Sequence, residues 1–197
     1  MKIILASKSP RRRKMLKELG VKYSLWNGEA DETVDREYAP CDLVRILAKK
    51  KAAACYADIK KDDTLILSAD TVVALDGKIL GKPRDDDHAR EMLRLMSGTV
   101  HYVYSGVAAI YGGQTVCAYE KTRIKFRDIT DSEIERYLLT GEHRDKAGSY
   151  GIQEKGGYFV ESVSGDINNV VGLPVIKLRD MVKDSFGIDL FDAESLK

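Results

Sequence analysis

The chain has 197 residues, 44% hydrophobic and 32% charged, enough to bury one core without disulfides or a structural metal. A formal charge of +1 provides no global field for gripping a polyanion, so any anion site must be local. The three cysteines, Cys41, Cys55 and Cys117, are odd in number and form no C-x-x-C pair; the count argues against a disulfide framework, and they read as small buried hydrophobes in a reducing, cytoplasmic setting.

No apolar run approaches the roughly 20 residues of a membrane helix. The apolar start from Ile3 to Ala6 is cut off by Lys8, Pro10 and Arg11 to Arg13, which argues against a signal peptide and a membrane partner. With no linker, repeat or low-complexity block, residues 1–197 are expected to form a single domain.

Lys2 to Ala6 predicts a short buried strand, and Ser9-Pro10 an N-cap followed by proline at the first helical position. That helix should reach Leu19 and stop at Gly20. Val21 to Trp26 alternates like a second strand, and Gly28 to Glu37 is an acidic loop without apolar period. Asp42 to Ala57 carries Leu43, Ile46, Leu47 and Ala54 at helical spacing, with Lys49, Lys50 and Lys51 among them. Thr64 to Leu75, the most apolar stretch, predicts a central strand; Asp76-Gly77 turns it into a partner at Ile79-Leu80.

Gly81-Lys82-Pro83 turns the chain into a helix from Asp85 to Met96, whose Asp85-Asp86-Asp87 run suits a helix start better than a metal. Tyr102 to Tyr111 and Thr115 to Phe126 bracket Gly112-Gly113 as a long hairpin. Thr130 and Glu133 fit a capping box opening a helix to Leu139. Gly141 to Gln153 is polar and irregular, Tyr158 to Val163 predicts a strand, and a last helix follows Pro174. Strands that both alternate with helices and pair as hairpins indicate an α/β fold with a mixed sheet and flanking helices.

Asp70 is the sharpest anomaly: a carboxylate inside an apolar strand must be paired, protonated or metal-bound. Thr71, its neighbour, should point to the opposite face. Ser7-Lys8-Ser9-Pro10-Arg11-Arg12 joins a strand to a helix start, where backbone N–H groups and forked guanidinium donors favour a phosphate. Three successive arginines point about 100° apart around a helix, so one should face solvent; Arg13 is assigned that role. No Walker motif is present, since Pro83 follows Lys82.

Lys51, Lys82 and Lys146 read as solvated lysines unless they converge on a site, with Lys82 favoured by its stiff turn. One of Glu29, Asp31, Glu32, Asp35 and Glu37 could join Asp70 around a hard cation such as Mg²⁺. His88, His101 and His143 match neither zinc spacing nor a catalytic triad. A carboxylate pair, a cationic set and a helix N-terminus are the parts of metal-assisted phosphoryl transfer.

Six segments in order resemble the Maf-type nucleoside triphosphate pyrophosphatases: Leu5 to Arg12, Leu47 to Ala52, Ala69 to Val73, Gly81 to Pro83, Asp145 to Gln153 and Val171 to Pro174. The Tyr150-Gly151-Ile152-Gln153 ending resembles the branch acting on dTTP and UTP rather than the one acting on 7-methyl-GTP. The resemblance implies an elongated, two-lobed, ITPase-like molecule with a central cleft. It implies Asp70 as the catalytic proton acceptor, and Arg12, Thr71 and Gln153 as residues that choose the base. Ser7, Arg11, Arg12, Lys51 and Lys82 would bind phosphates, with Asp145 and Lys146 lining the cleft; Glu32 and Asp70 would hold Mg²⁺ or Mn²⁺. The chain departs from the family pattern at Ser68, Ser105, His143 and Ser149.

A Gln153 side-chain amide both donates and accepts, so it can read the carbonyl and N–H edge of uracil or thymine. The oligomeric state stays open, a homodimer being one arrangement. The rival from another class is a non-hydrolytic nucleotide or nucleic-acid sensor acting on cell division; near-zero charge and dispersed aromatics disfavour a nucleic-acid partner.

Overall fold

A computed structural model describes residues 1–191. In chain order the elements are β1 (Lys2–Ala6), α1 (Pro10–Glu18), β2 (Ser24–Leu25), α2 (Pro40–Ile59), β3 (Thr64–Leu75), β4 (Lys78–Leu80), α3 (Asp86–Met96), β5 (Val100–Tyr111), β6 (Gln114–Phe126), α4 (Asp131–Leu138), β7 (Val160–Ser164), α5 (Ile167–Val171) and α6 (Val175–Phe186). Short 3₁₀ turns occupy Glu142–Asp145, Ala147–Ser149 and Lys155–Phe159. The strands form a mixed sheet in the order β2-β1-β3-β5-β6-β7, with β4 paired to β3. β1 runs parallel to both β2 and β3, whereas β3–β4 and β6–β7 are antiparallel. The α/β class with a mixed sheet is therefore as expected.

The chain divides into two compact units, one of Met1–Asp70, Ser105–Glu120 and the chain from Gly172, the other of Thr71–Tyr104 and Lys121–Val171. In the first, Ile4 and Ala6 of β1, Ile66 of β3 and Ala108 and Ile110 of β5 present one sheet face to Ala48, Ala52 and Cys55 of α2. Small residues bring helix and sheet close. A Cβ on Gly106 would stand 2.2 Å from the Val44 carbonyl oxygen, and the Ser68 hydroxyl donates to the Ala48 carbonyl at 2.6 Å. The buried stripe of α2 is Val44, Leu47, Ala48, Ala52 and Cys55; of the four apolar positions expected there, only Leu47 belongs to it. Cys41 and Cys117 are only partly buried, so the expectation of three buried thiols holds for Cys55 alone.

The expected strand from Val21 to Trp26 shrinks to two residues. The Val21 N–H donates to Leu16 O and that of Gly20 to Lys17 O, both at 3.0 Å, so these groups close α1 instead of joining the ladder.

In the second unit, Leu93 and Met96 of α3, Ile134 of α4, and Phe126, Tyr150 and Phe159 form the core. Asp85 caps α3 by accepting the His88 N–H at 2.7 Å, and Thr130 with Glu133 completes the expected capping box of α4. The last predicted strand begins at Val160, two residues late. Phe159 O accepts the Arg127 N–H at 3.0 Å and Tyr158 O the Arg127 Nε–H at 2.8 Å, which holds both residues in a turn. Helix α5, five residues long, is too short to show a periodic pattern.

Candidate active site

Two buried stripes carry the cations of the first unit. On α1, Arg12, Met15 and Leu16 are buried together, and the i, i+3, i+4 spacing puts them on one face. Arg12 Nε donates to Gly172 O at 2.7 Å and its Nη1 to Ser7 Oγ at 3.2 Å. Ser7 Oγ also accepts the Ser9 N–H at 3.3 Å, and Ser9 Oγ faces the Arg12 N–H at 3.5 Å. On α2, Lys51 lies three and four residues from buried Ala48 and Cys55, on the edge of the face that meets the sheet. Its Nζ donates to Asp70 Oδ1 at 2.6 Å and lies 3.1 Å from Glu32 Oε2.

Asp70 follows Ile66 and Ser68 at a period of two, so β3 sends its carboxylate to the face covered by α2. Burial pulls the Arg12 guanidinium below its usual pKa and Arg11 adds to that, while Asp70 and Glu32 oppose it. The acidic loop is tied to α2 by Lys51 at Glu32 and by Lys50 at the Thr33 carbonyl. Ser7, Arg12, Glu32, Lys51 and Asp70 thus come together, with Arg11 beside Arg12 on α1. Lys51 meets the condition of convergence set for it, whereas the assignment of Arg13 to solvent is corrected. Arg13 is half-buried, its Nε is enclosed without a hydrogen-bond partner, and its carbonyl accepts the Tyr23 hydroxyl at 2.8 Å.

In the second unit, the Gly148 N–H donates to Gly81 O at 3.0 Å, joining the turn that carries Lys82 to the segment that carries Asp145 and Lys146. Lys146 is buried and its ammonium pairs with Asp145. Lys82 and Gln153 are exposed and Thr71 is half-buried. Gly148 has φ +68, and a Cβ there would stand 3.0–3.1 Å from the Val73 side chain, so that segment packs directly on β3 two residues beyond Thr71.

Among the described residues, no three His, Cys, Asp or Glu side chains converge as a metal cage. The donor set that exists is two carboxylates, Glu32 and Asp70, sharing one cation, the Lys51 ammonium. One or two carboxylates completed by substrate phosphates and water is how proteins hold Mg²⁺. These residues fit a hard divalent ion.

The family model described as Maf-like protein matches residues 2–185. This chain belongs to the Maf family. Relatives named dTTP/UTP pyrophosphatase from Bacillus cereus (strain B4264) and Bacillus thuringiensis subsp. konkukian (strain 97-27) are each 45% identical over 98% of this chain and 99% of their own length. The solved Staphylococcus aureus Ham1 protein aligns with a TM-score of 0.48 and 13% identity over 65% of this chain and 73% of that one.

Of the four positions expected to differ from the Maf pattern, three make specific contacts. Ser68 binds α2 as described. Ser149, at φ +65, places its buried hydroxyl 3.1 Å from Met92 Sδ. His143 is fully buried and its Nε2 meets Asp86 Oδ1 at 2.9 Å, pinning the Glu142–Asp145 turn to the first residue of α3. Ser105 is buried in β5. The roles of His101, Glu142 and the buried His143 went unread in the sequence, whereas the helical spacing of Lys51 to Ala48 and Cys55 offered a usable signal of its inward reach.

Proposed function

We propose that this Maf protein hydrolyses dTTP and UTP to the nucleoside monophosphate and pyrophosphate. The observation that carries the reading is the cluster of buried Arg12 and Asp70 with half-buried Lys51 and the exposed Glu32 carboxylate, in a chain 45% identical along nearly its whole length to relatives named for that activity. A water oxygen attacks the α-phosphorus, the bond from that phosphorus to the bridging oxygen breaks, and pyrophosphate leaves. Lys51 engages Asp70 Oδ1; Oδ2 is assigned to take the water proton. Ser7, Arg11, Arg12, Lys51 and Lys82 neutralise charge on the phosphates, with Asp145 and Lys146 beside them in role. Arg12, Thr71 and Gln153 select the base.

Glu32 and Asp70 are assigned to hold a divalent cation, Mg²⁺ or Mn²⁺, which supplies charge neutralisation for the triphosphate.

Incubation with UTP, dTTP and Mg²⁺ tests the reading. Monophosphate plus pyrophosphate, abolished by Asp70→Asn, is expected. Intact nucleotide recovered from a tight complex would convert the protein into a sensor, and preference for 7-methyl-GTP would move it to the other branch. Near-wild-type pyrophosphate release by Asp70→Asn would remove the assigned base.

A further inference from the structure

The segment carrying Gln153 is closed on itself. A Cβ on Gly156 would lie 2.9 Å from both N and O of Gly151, so the two ends touch and Gln153 sits on the exposed excursion between them. Each end is held by a group outside the segment. At the entrance, Tyr150 Oη and His101 Nε2 are 2.8 Å apart, and the fully buried imidazole stands edge-on to Phe126 and Tyr150 with ring centroids at 4.7 and 5.4 Å. At the exit, the Glu142 carboxylate accepts the Lys155 and Gly156 N–H groups, one on each oxygen and both at 3.1 Å. The Tyr137 hydroxyl links the two ends, accepting from the Gly151 N–H and lying 3.4 Å from Glu142 Oε1.

We infer that His101 and Glu142 are positioning residues for base selectivity, each fixing one end of the Tyr150-to-Gly156 segment that presents Gln153. The inference rests on the assignment of Gln153 to the base. Neither residue is assigned to the phosphates, so loosening either should blur the choice of base more than it slows phosphate chemistry. UTP and CTP make the sharpest probes, because cytosine offers an amine and a bare nitrogen where uracil offers a carbonyl and an N–H. Burial pushes His101 down to about 4, so near pH 7 the anchor is a neutral imidazole.

The experiment measures kcat/KM for UTP and CTP in Gln153→Ala, His101→Phe and Glu142→Gln, alongside thermal midpoints. Loss of one hydrogen bond of ordinary net strength should lower the UTP:CTP ratio about fivefold to tenfold in each anchor variant, with CTP turnover changed by less than about twofold. Tyr150→Phe removes the same bond as His101→Phe from the other side and replaces it should that variant fail to fold. Equal losses on UTP and CTP in the anchor variants, with selectivity broken only by Gln153→Ala, would overturn this inference alone. An unchanged ratio in Gln153→Ala would overturn the base-reading role and this inference with it.

Discussion

Lys51→Met isolates the ion pair on which the site depends. The substitution keeps the aliphatic stem and removes the ammonium that lies 2.6 Å from Asp70 and 3.1 Å from Glu32. The side chains of Lys51 and Asp70 are only 15% and 12% exposed, so the carboxylate left behind is largely shielded from water. Removing one partner of a buried pair costs roughly 3–5 kcal/mol. Arg12 still faces Asp70 electrostatically, which places the expected loss near the lower figure, about 3 kcal/mol. For a chain of this length each kcal/mol lowers the thermal midpoint by about 2–4 °C, so circular dichroism melts should show a fall of about 6–12 °C. Millimolar Mg²⁺ should stabilise the variant more than the wild type, because the two carboxylates then lack their resident cation. A midpoint within about 2 °C of wild type would refute the shielding argument, and equal Mg²⁺ responses would refute a cation site at Glu32 and Asp70.

His101 is pushed down to about 4 by burial, against an ordinary value of 6.5. The folded state disfavours its protonation, so its contribution is complete above pH 6.5 and is lost as pH falls from 6.5 towards 4. Between pH 6.5 and 5 this one group should cost about 2 kcal/mol of unfolding free energy, a dependence that urea titrations should find missing in His101→Phe; parallel curves would show that the imidazole is not buried neutral. Gly106→Ala should cost about 1–3 kcal/mol by overpacking, since its Cβ would meet the Val44 carbonyl at 2.2 Å; an unchanged melting point would show that α2 does not press on β5. Burial raises the Cys55 thiol to about 12, so thiol titration of the native protein at pH 8 should reach Cys41 and Cys117 and reach Cys55 only after unfolding. Three fast-reacting thiols in native protein would contradict that packing.

Local chemistry was readable from the chain itself. The Ser9-Pro10 start of α1, the Asp76-Gly77 and Gly112-Gly113 turns and the Thr130 and Glu133 capping box each depend on residues a few positions apart, so sequence carries them directly. Asp70 also declared itself, because a charge inside a run of β-branched residues is a conflict that some partner has to resolve. Which partner was a tertiary matter. Lys51 was indistinguishable from Lys49 and Lys50 by type, and became the partner only because Gly106 and Ser68 let α2 approach the sheet along the face holding Ala48, Ala52 and Cys55. His101 and His143 looked idle for the same reason: their partners, Tyr150 and Asp86, lie 49 and 57 residues away. Sequence spacing encodes contacts within a turn, a helix face or a strand pleat; a hydrogen bond between elements distant in sequence exists only after packing has brought the two groups together.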